Sequence, residues 1–174
     1  MSGPGLVPVL DAIFDWFNGQ IPGIGTWYPS QSRLSDEEMF TASLATGTPT
    51  GAIAFPYFGT ISEQRIAFGG PTGGLKQVTI PVTFVLWSWS QQEEAEAADR
   101  DLKRITDALK LRIRQDRTWG TGGDPIFQAG EGTGRGSPSD VRDDTREPVI
   151  DEEKGGAIFR IVQLRTTVVS MIFA

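Results

Sequence analysis

Apolar positions recur at helical spacing near the start of the chain. Leu6, Val9, Leu10, Ile13 and Phe17 form one stripe, Phe14 and Trp16 widen it, and Asp11 and Asp15 fall outside it. The spacing predicts a short amphipathic helix over 5–18. Gly19 tolerates the left-handed conformation that follows a last helical turn, and Pro22 prevents the helix from resuming. "GIGTWYPS" then reads as a short extended segment closed by a turn, and the polar residues 30–50 as a loop with one helical turn after Ser35. "GAIAFPYFGT" and "EQRIAFGG" fit β-structure, with Pro56 assigning the first to an edge or an end, and "GGPTGG" (69–74) is a turn.

The period changes to two in "LKQVTIPVTFVLWSW". Val78, Ile80, Val82, Phe84 and Leu86 fall on one face, while Thr79, Pro81 and Thr83 fall on the other. Val85, Trp87 and Trp89 then succeed the polar residues on that second face. The far end of this strand is therefore expected to be covered on both sides or to meet another chain. From Gln91 to Asp116 the period returns to helical, with Ala95, Ala98, Leu102, Ile105, Leu109 and Ile113 as the stripe. Acidic residues gather at the start of this helix and basic ones at its end, as the helix dipole favours, and the interleaved charges read as a solvated face. "AIFRIVQLRTTVVSMIFA" closes the chain as a long strand. Val162, Leu164, Val168 and Ile172 share one of its faces, and Phe159, Ile161, Val169, Met171 and Phe173 the other.

Between that helix and that strand, residues 117–156 carry no sustained period. Nine carboxylates face five cations there, so most of the net charge sits in this stretch. Forty extended residues span roughly 130 Å, enough to reach a neighbouring subunit. The succession of elements predicts an α+β fold: a mostly antiparallel sheet of about four strands, with the N-terminal helix and the long amphipathic helix packed on it, plus a long extended loop. One domain is expected over 1–174, with 117–156 as an assembly arm within it.

Composition narrows the chemistry. The 174 residues contain no cysteine and no histidine, which removes disulfides, thiolate nucleophiles and the commonest metal ligand and general base. The 16 basic and 22 acidic residues give a formal net charge of -6, the opposite of the basic surface that grips a phosphate backbone. The start of the chain has no positive flank and its apolar run is broken by aspartates, so neither a signal peptide nor a membrane span is expected.

"GEGTGRG" (130–136) invites a nucleotide-binding reading. A phosphate-binding glycine loop follows a strand and opens a helix whose N-terminal amides hold the anion. Here the downstream "SPSDVRDDTREP" has no apolar helical stripe and holds two prolines, and no Gly-Lys-Ser or Gly-Lys-Thr is present. The loop reads as a flexible segment. Glu131 has no partner carboxylate by spacing, and "DVRDD" and "IDEE" lack the alternating ligands of a calcium loop. No enzyme constellation, metal site or cofactor site is expected. A soluble domain with a long charged loop fits an assembly component, since such a loop orders on its neighbour.

The succession of an amphipathic helix, "IPGIGTWYP", "QRIAFGGPTGG" leading into the alternating strand, "AADRDLKRITDALKLRIRQD", "FQAGEGTGRG" and a closing strand resembles the tail terminator proteins of long-tailed bacteriophages, particularly those infecting actinobacteria. The resemblance implies a virion structural subunit, made in the host cytoplasm, that forms a hexameric ring at the head-proximal end of the tail. Such a ring ends polymerisation of the tail tube protein, presents a surface to the head-completion proteins and lets DNA pass through its lumen without specific binding. A head-completion or stopper protein is the alternative within assembly proteins. A carboxylate-based or nucleotide-binding enzyme is the alternative from another class. Within 117–156, residue type nominates Trp119, Phe127, Glu131, Arg135 and Arg142 as subunit or tube contacts, because tryptophan, other aromatics and arginine anchor interfaces.

Overall fold

A computed structural model of the chain describes residues 6–30, 38, 51–68, 74–123, 126–129, 142–145, 149–151 and 157–173. Its elements are α1 (Leu6–Phe17), β1 (Ile24–Trp27), β2 (Ala52–Phe58), β3 (Ser62–Phe68), β4 (Gly74–Ser90), a 3-10 turn (Gln92–Glu94), α2 (Ala95–Gln115), β5 (Ile126–Ala129), β6 (Arg142–Thr145), β7 (Val149–Asp151) and β8 (Ala157–Phe173). The fold is α+β, with helices at the start and in the middle of a sheet-forming chain. Of the polar stretch expected as a loop over 30–50, only Ser30 and a helical Glu38 lie within the described residues.

Two 17-residue strands are the spine. β4 and β8 pair antiparallel from Leu75↔Phe173 to Ser90↔Ile158, and the sheet runs in the order β1-β2-β4-β8-β5. β3 continues the position of β2 along β4, and β6 and β7 continue that of β5 along β8. Each flank of the spine is thus one line broken into pieces, which raises the sheet from the expected four strands to eight. All pairings are antiparallel except β1 with β2, which is parallel.

Proline sets where the first flank breaks. Pro81 lies between the stretch of β4 paired with β2 and the stretch paired with β3, and its carbonyl accepts the Gly59 amide at 2.8 Å. In a strand the N–H and C=O of one residue point the same way, so Pro81 fails to donate toward this flank. The line accordingly breaks at 59–61. Pro56, expected at an edge, sits in β2 beyond the Ala52–Ala54 segment that β1 covers, so its missing donor faces no described strand.

One face of the sheet holds the core. Val78, Ile80, Val82, Phe84 and Leu86 of β4 are buried, as the alternation predicts, together with Val162, Leu164 and Val168 of β8. α1 contributes Val9, Ile13 and Phe17, and α2 contributes Leu102, Ile105, Leu109 and Ile113. α1 ends before Gly19, whose φ is +68°. Three polar residues interrupt the predicted apolar face of β8, namely Arg160, Thr166 and Ser170, all buried. Arg160 is accommodated because Nη1 donates to Ser90 Oγ at 3.0 Å and Nη2 to the Ala95 carbonyl at 2.8 Å, with Asp99 Oδ1 3.9 Å from Nε. Burial lowers its pKa and Asp99 opposes that shift. On α2, Thr106 joins the buried stripe by donating its hydroxyl to the Leu102 carbonyl.

The chain beyond α2 differs from the structureless arm expected over 117–156. It first makes a tight turn around Asp116, and β5, β6 and β7 then line the edge of β8. These strands have three or four residues, too few for their own side-chain period to declare them, and β8 supplies the hydrogen-bond partners. Residues 130–141, with the glycine-rich "GEGTGRG", lie outside the described residues.

Candidate functional site

Helices cover one face of the sheet, and among the described residues no helix lies on the other. Register builds that second face in rows across three strands. Ile53, Trp87 and Ile161 form one row, Phe55, Val85 and Gln163 the next, and Tyr57, Thr83 and Arg165 the third. Directly opposite residues in an antiparallel pair project to the same side, so each row presents three side chains together. The rows line an open depression of about 460 Å³, whose lining holds Phe55, Tyr57, Thr83, Val85, Trp87, Ile161, Gln163 and Arg165.

The floor is apolar and ordered by aromatic contact. Phe55 meets Trp87 edge-on at 5.6 Å, Trp87 meets Phe159 at 5.3 Å, and Phe159 meets Trp89 at 5.7 Å. Edge-to-face pairs at these separations add to area burial and hold the rings in place. Val85 is buried and Trp87 half-buried, whereas Tyr57, at the open edge of β2, is 55% exposed. Arg165, in the third row, is the one charged residue in the lining among the described residues. An apolar floor, a phenol, a threonine hydroxyl, an amide and a guanidinium can hold an apolar group beside an anionic one. Among the described residues the lining contains no carboxylate, histidine or cysteine for acid-base or nucleophilic chemistry. Among the described residues no group of three or more His, Cys, Asp or Glu is placed to hold a metal ion, and no helix is long and apolar enough to cross a membrane.

No protein-family model matches the sequence, and no curated protein matches it.

The residues nominated by type fall in three different places. Trp119 is not a surface anchor. It is 2% exposed and packs against Phe17 at 4.9 Å and Phe84 at 5.9 Å, and its Nε1 donates to the Ile113 carbonyl. The reason is the turn that follows α2. Asp116 accepts the Thr118 and Gly120 amides, which folds the chain back and drives the indole into the core, with Trp119 itself at φ +46°. Phe127 lies in β5 at the irregularity between the Ile126↔Ser170 and Gln128↔Val169 pairs. Arg142 lies in β6 opposite Arg165, at the end of the Tyr57–Thr83–Arg165 row. The two are about 15 Å apart along β8, at 3.3 Å per residue. Glu131 and Arg135 lie outside the described residues. The structure therefore brings one of the five, Arg142, to the strand beside the depression.

The lining itself was only partly signalled in sequence. Trp87 and Val85 stand out because they replace the polar residues of the second face of β4, and Ile161 shares the corresponding face of β8. Phe55, Tyr57 and Gln163 have no such signal, since their role depends on the pairing partner and the register.

Proposed function

We propose that this protein is a tail terminator of a long-tailed bacteriophage, a structural subunit that rings the head-proximal end of the tail. It ends growth of the tube and presents the surface on which the head is joined. The observation that carries the reading is the one-sided architecture. Helices cover one sheet face, and the other keeps Trp87, Ile161 and Tyr57 partly exposed around a depression whose described lining holds no carboxylate, histidine or cysteine. An apolar surface of this kind, rimmed by polar groups, serves contact with another protein. The resemblance read from "IPGIGTWYP", "QRIAFGGPTGG" and "FQAGEGTGRG" supplies the class of assembly. The net charge of -6 suits a ring through which DNA slides, because an anionic wall repels phosphates. On this reading the protein is not an enzyme, takes no cofactor, and has as partners other copies of itself in a hexamer, the tail tube protein and a head-completion protein.

Negative-stain electron microscopy of lysates from a phage with this gene disrupted tests the proposal. Overlong, headless tubes are the expected outcome. Tails of normal length beside unjoined heads would move the protein to the head-completion side of the joint, and ordinary infectious particles would remove it from the virion.

A further inference from the structure

The outward face of α2 carries an apolar residue that its own fold does not use. Leu111 is 71% exposed, the most exposed of the large hydrophobic residues among those described. The charged residues on that face are Asp107 one turn before it, Arg104 two turns before it and Arg114 one turn after it. Asp107 is highly exposed and meets Lys110 at 4.0 Å, a surface pairing that solvent and salt leave weak. The helix thus presents an apolar knob with a carboxylate about 6 Å away along its axis.

The depression on the second sheet face has the complementary arrangement. Its apolar floor holds Val85 one row from Arg165 and Trp87 two rows from it, and adjacent rows are about 6.6 Å apart along the strand. The knob and the floor match in polarity, the carboxylate and the guanidinium match in charge, and the Asp107–Leu111 spacing agrees with that between the Arg165 and Val85 rows. We propose that copies of this protein associate head to tail, the Leu111–Asp107 face of one copy seating in the Val85–Arg165 part of the depression of the next. The two surfaces lie on opposite sides of the sheet, so the contact is heterologous. Repeated contacts of that kind close into a ring or run on as a filament. The inference rests on the assembly role proposed above and names the surfaces through which the copies meet.

Sedimentation velocity of the full chain over a wide concentration range tests it. The wild type is expected to associate, and Leu111→Glu to weaken association roughly 30-fold or more, as loss of a central apolar anchor does. Asp107→Arg and Arg165→Asp should each weaken it, and the chain carrying both should recover, because every contact then pairs the exchanged charges. Near-UV circular dichroism checks that each variant keeps its aromatic packing. A wild type that stays monomeric, undiminished association of Leu111→Glu, or failure of the double exchange to recover would each overturn the proposed contact. The gene-disruption phenotype is independent of this result. Normal association with ordinary infectious particles would sink the terminator reading alone, and overlong tubes with undiminished Leu111→Glu association would sink the contact alone.

Discussion

Arg160 and Asp116 show how single polar residues are made compatible with this fold. Arg160 lies on the core face of β8, and its two hydrogen bonds tie the end of β4 and the start of α2 to that strand. Arg160→Ala leaves the buried Ser90 hydroxyl and the Ala95 carbonyl without their donor, and is expected to cost about 2–3 kcal/mol. Arg160→Met retains the packing of the stem and should cost less. Urea midpoints at constant m-value measure both. Asp116 is half-buried, and its carboxylate accepts the Thr118 amide at 2.8 Å, the Gly120 amide at 2.9 Å and the Thr118 hydroxyl at 2.9 Å. Those bonds, the backbone ones foremost, hold its pKa below the ordinary 3.8, and Arg112 adds to the effect. The folded value is the lower one, so the unfolded chain binds the proton first as pH falls. The contribution of Asp116 is complete above the ordinary value and is lost as pH drops through the folded one. Melting temperatures of the wild type and Asp116→Asn, taken from neutral pH down to about pH 2, should therefore converge at the acid end. A gap that stays constant would mean that the carboxylate's charge is not what holds the turn.

At the scale of elements, the contact between α1 and α2 depends on a reciprocal clamp. The Arg112 guanidinium lies 3.5 Å from the Trp16 ring centroid and donates through Nε and Nη2 to the Trp16 carbonyl, while Trp16 Nε1 donates to the Arg112 carbonyl at 3.4 Å. Gly120 lies on the same indole. A Cβ there would come within 2.9 Å of Trp16 Cε3 and Cζ3, at a backbone φ of +77°. The ring has little room to yield, since Arg112 is stacked on it. Gly120→Ala is expected to destabilise by about 1–2 kcal/mol, more than the substitution costs from φ alone. Gly122→Ala, at φ +68° with open space around it, is the control. The elements that long apolar periods define were legible in sequence: α1, β4, α2 and β8 appear where the stripes place them. The pieces that pair along the spine were not. β5, β6 and β7 carry no period of their own, and the break at 59–61 answers to Pro81 on a different strand. Trp119 was misplaced for a related reason, because its burial follows from the Asp116 turn rather than from any apolar spacing around it.

At the scale of the whole molecule, one aromatic cluster joins four parts of the chain. Phe17 of α1 meets Trp27 of β1 at 5.4 Å, Phe84 of β4 at 4.6 Å and Trp119 after α2 at 4.9 Å. The candidate site lies on the reverse of the same sheet, where Val85 and Trp87 alternate with Phe84 and Leu86 of the core. This is why the site was half legible. Alternation along β4 shows that two faces exist and that the second turns apolar, but only the register with β2 and β8 shows which residues complete it. The shared strand also fixes how the molecule should unfold. A chain lacking α1 would lose Val9, Ile13 and Phe17 from the core and expose Phe84 and Trp119, which pack against Phe17. Removing three buried side chains at ~1.5–3 kcal/mol each is comparable to the whole stability of a domain. Tryptophan fluorescence, reporting the aromatic cluster, and far-UV circular dichroism, reporting the sheet, are therefore expected to give coincident urea transitions in the full chain. Deletion of 1–19 should abolish the transition and the near-UV signal together. If the fluorescence transition came well before the loss of sheet, α1 and the Trp119 turn would form a separately melting layer over a sheet that is stable without them.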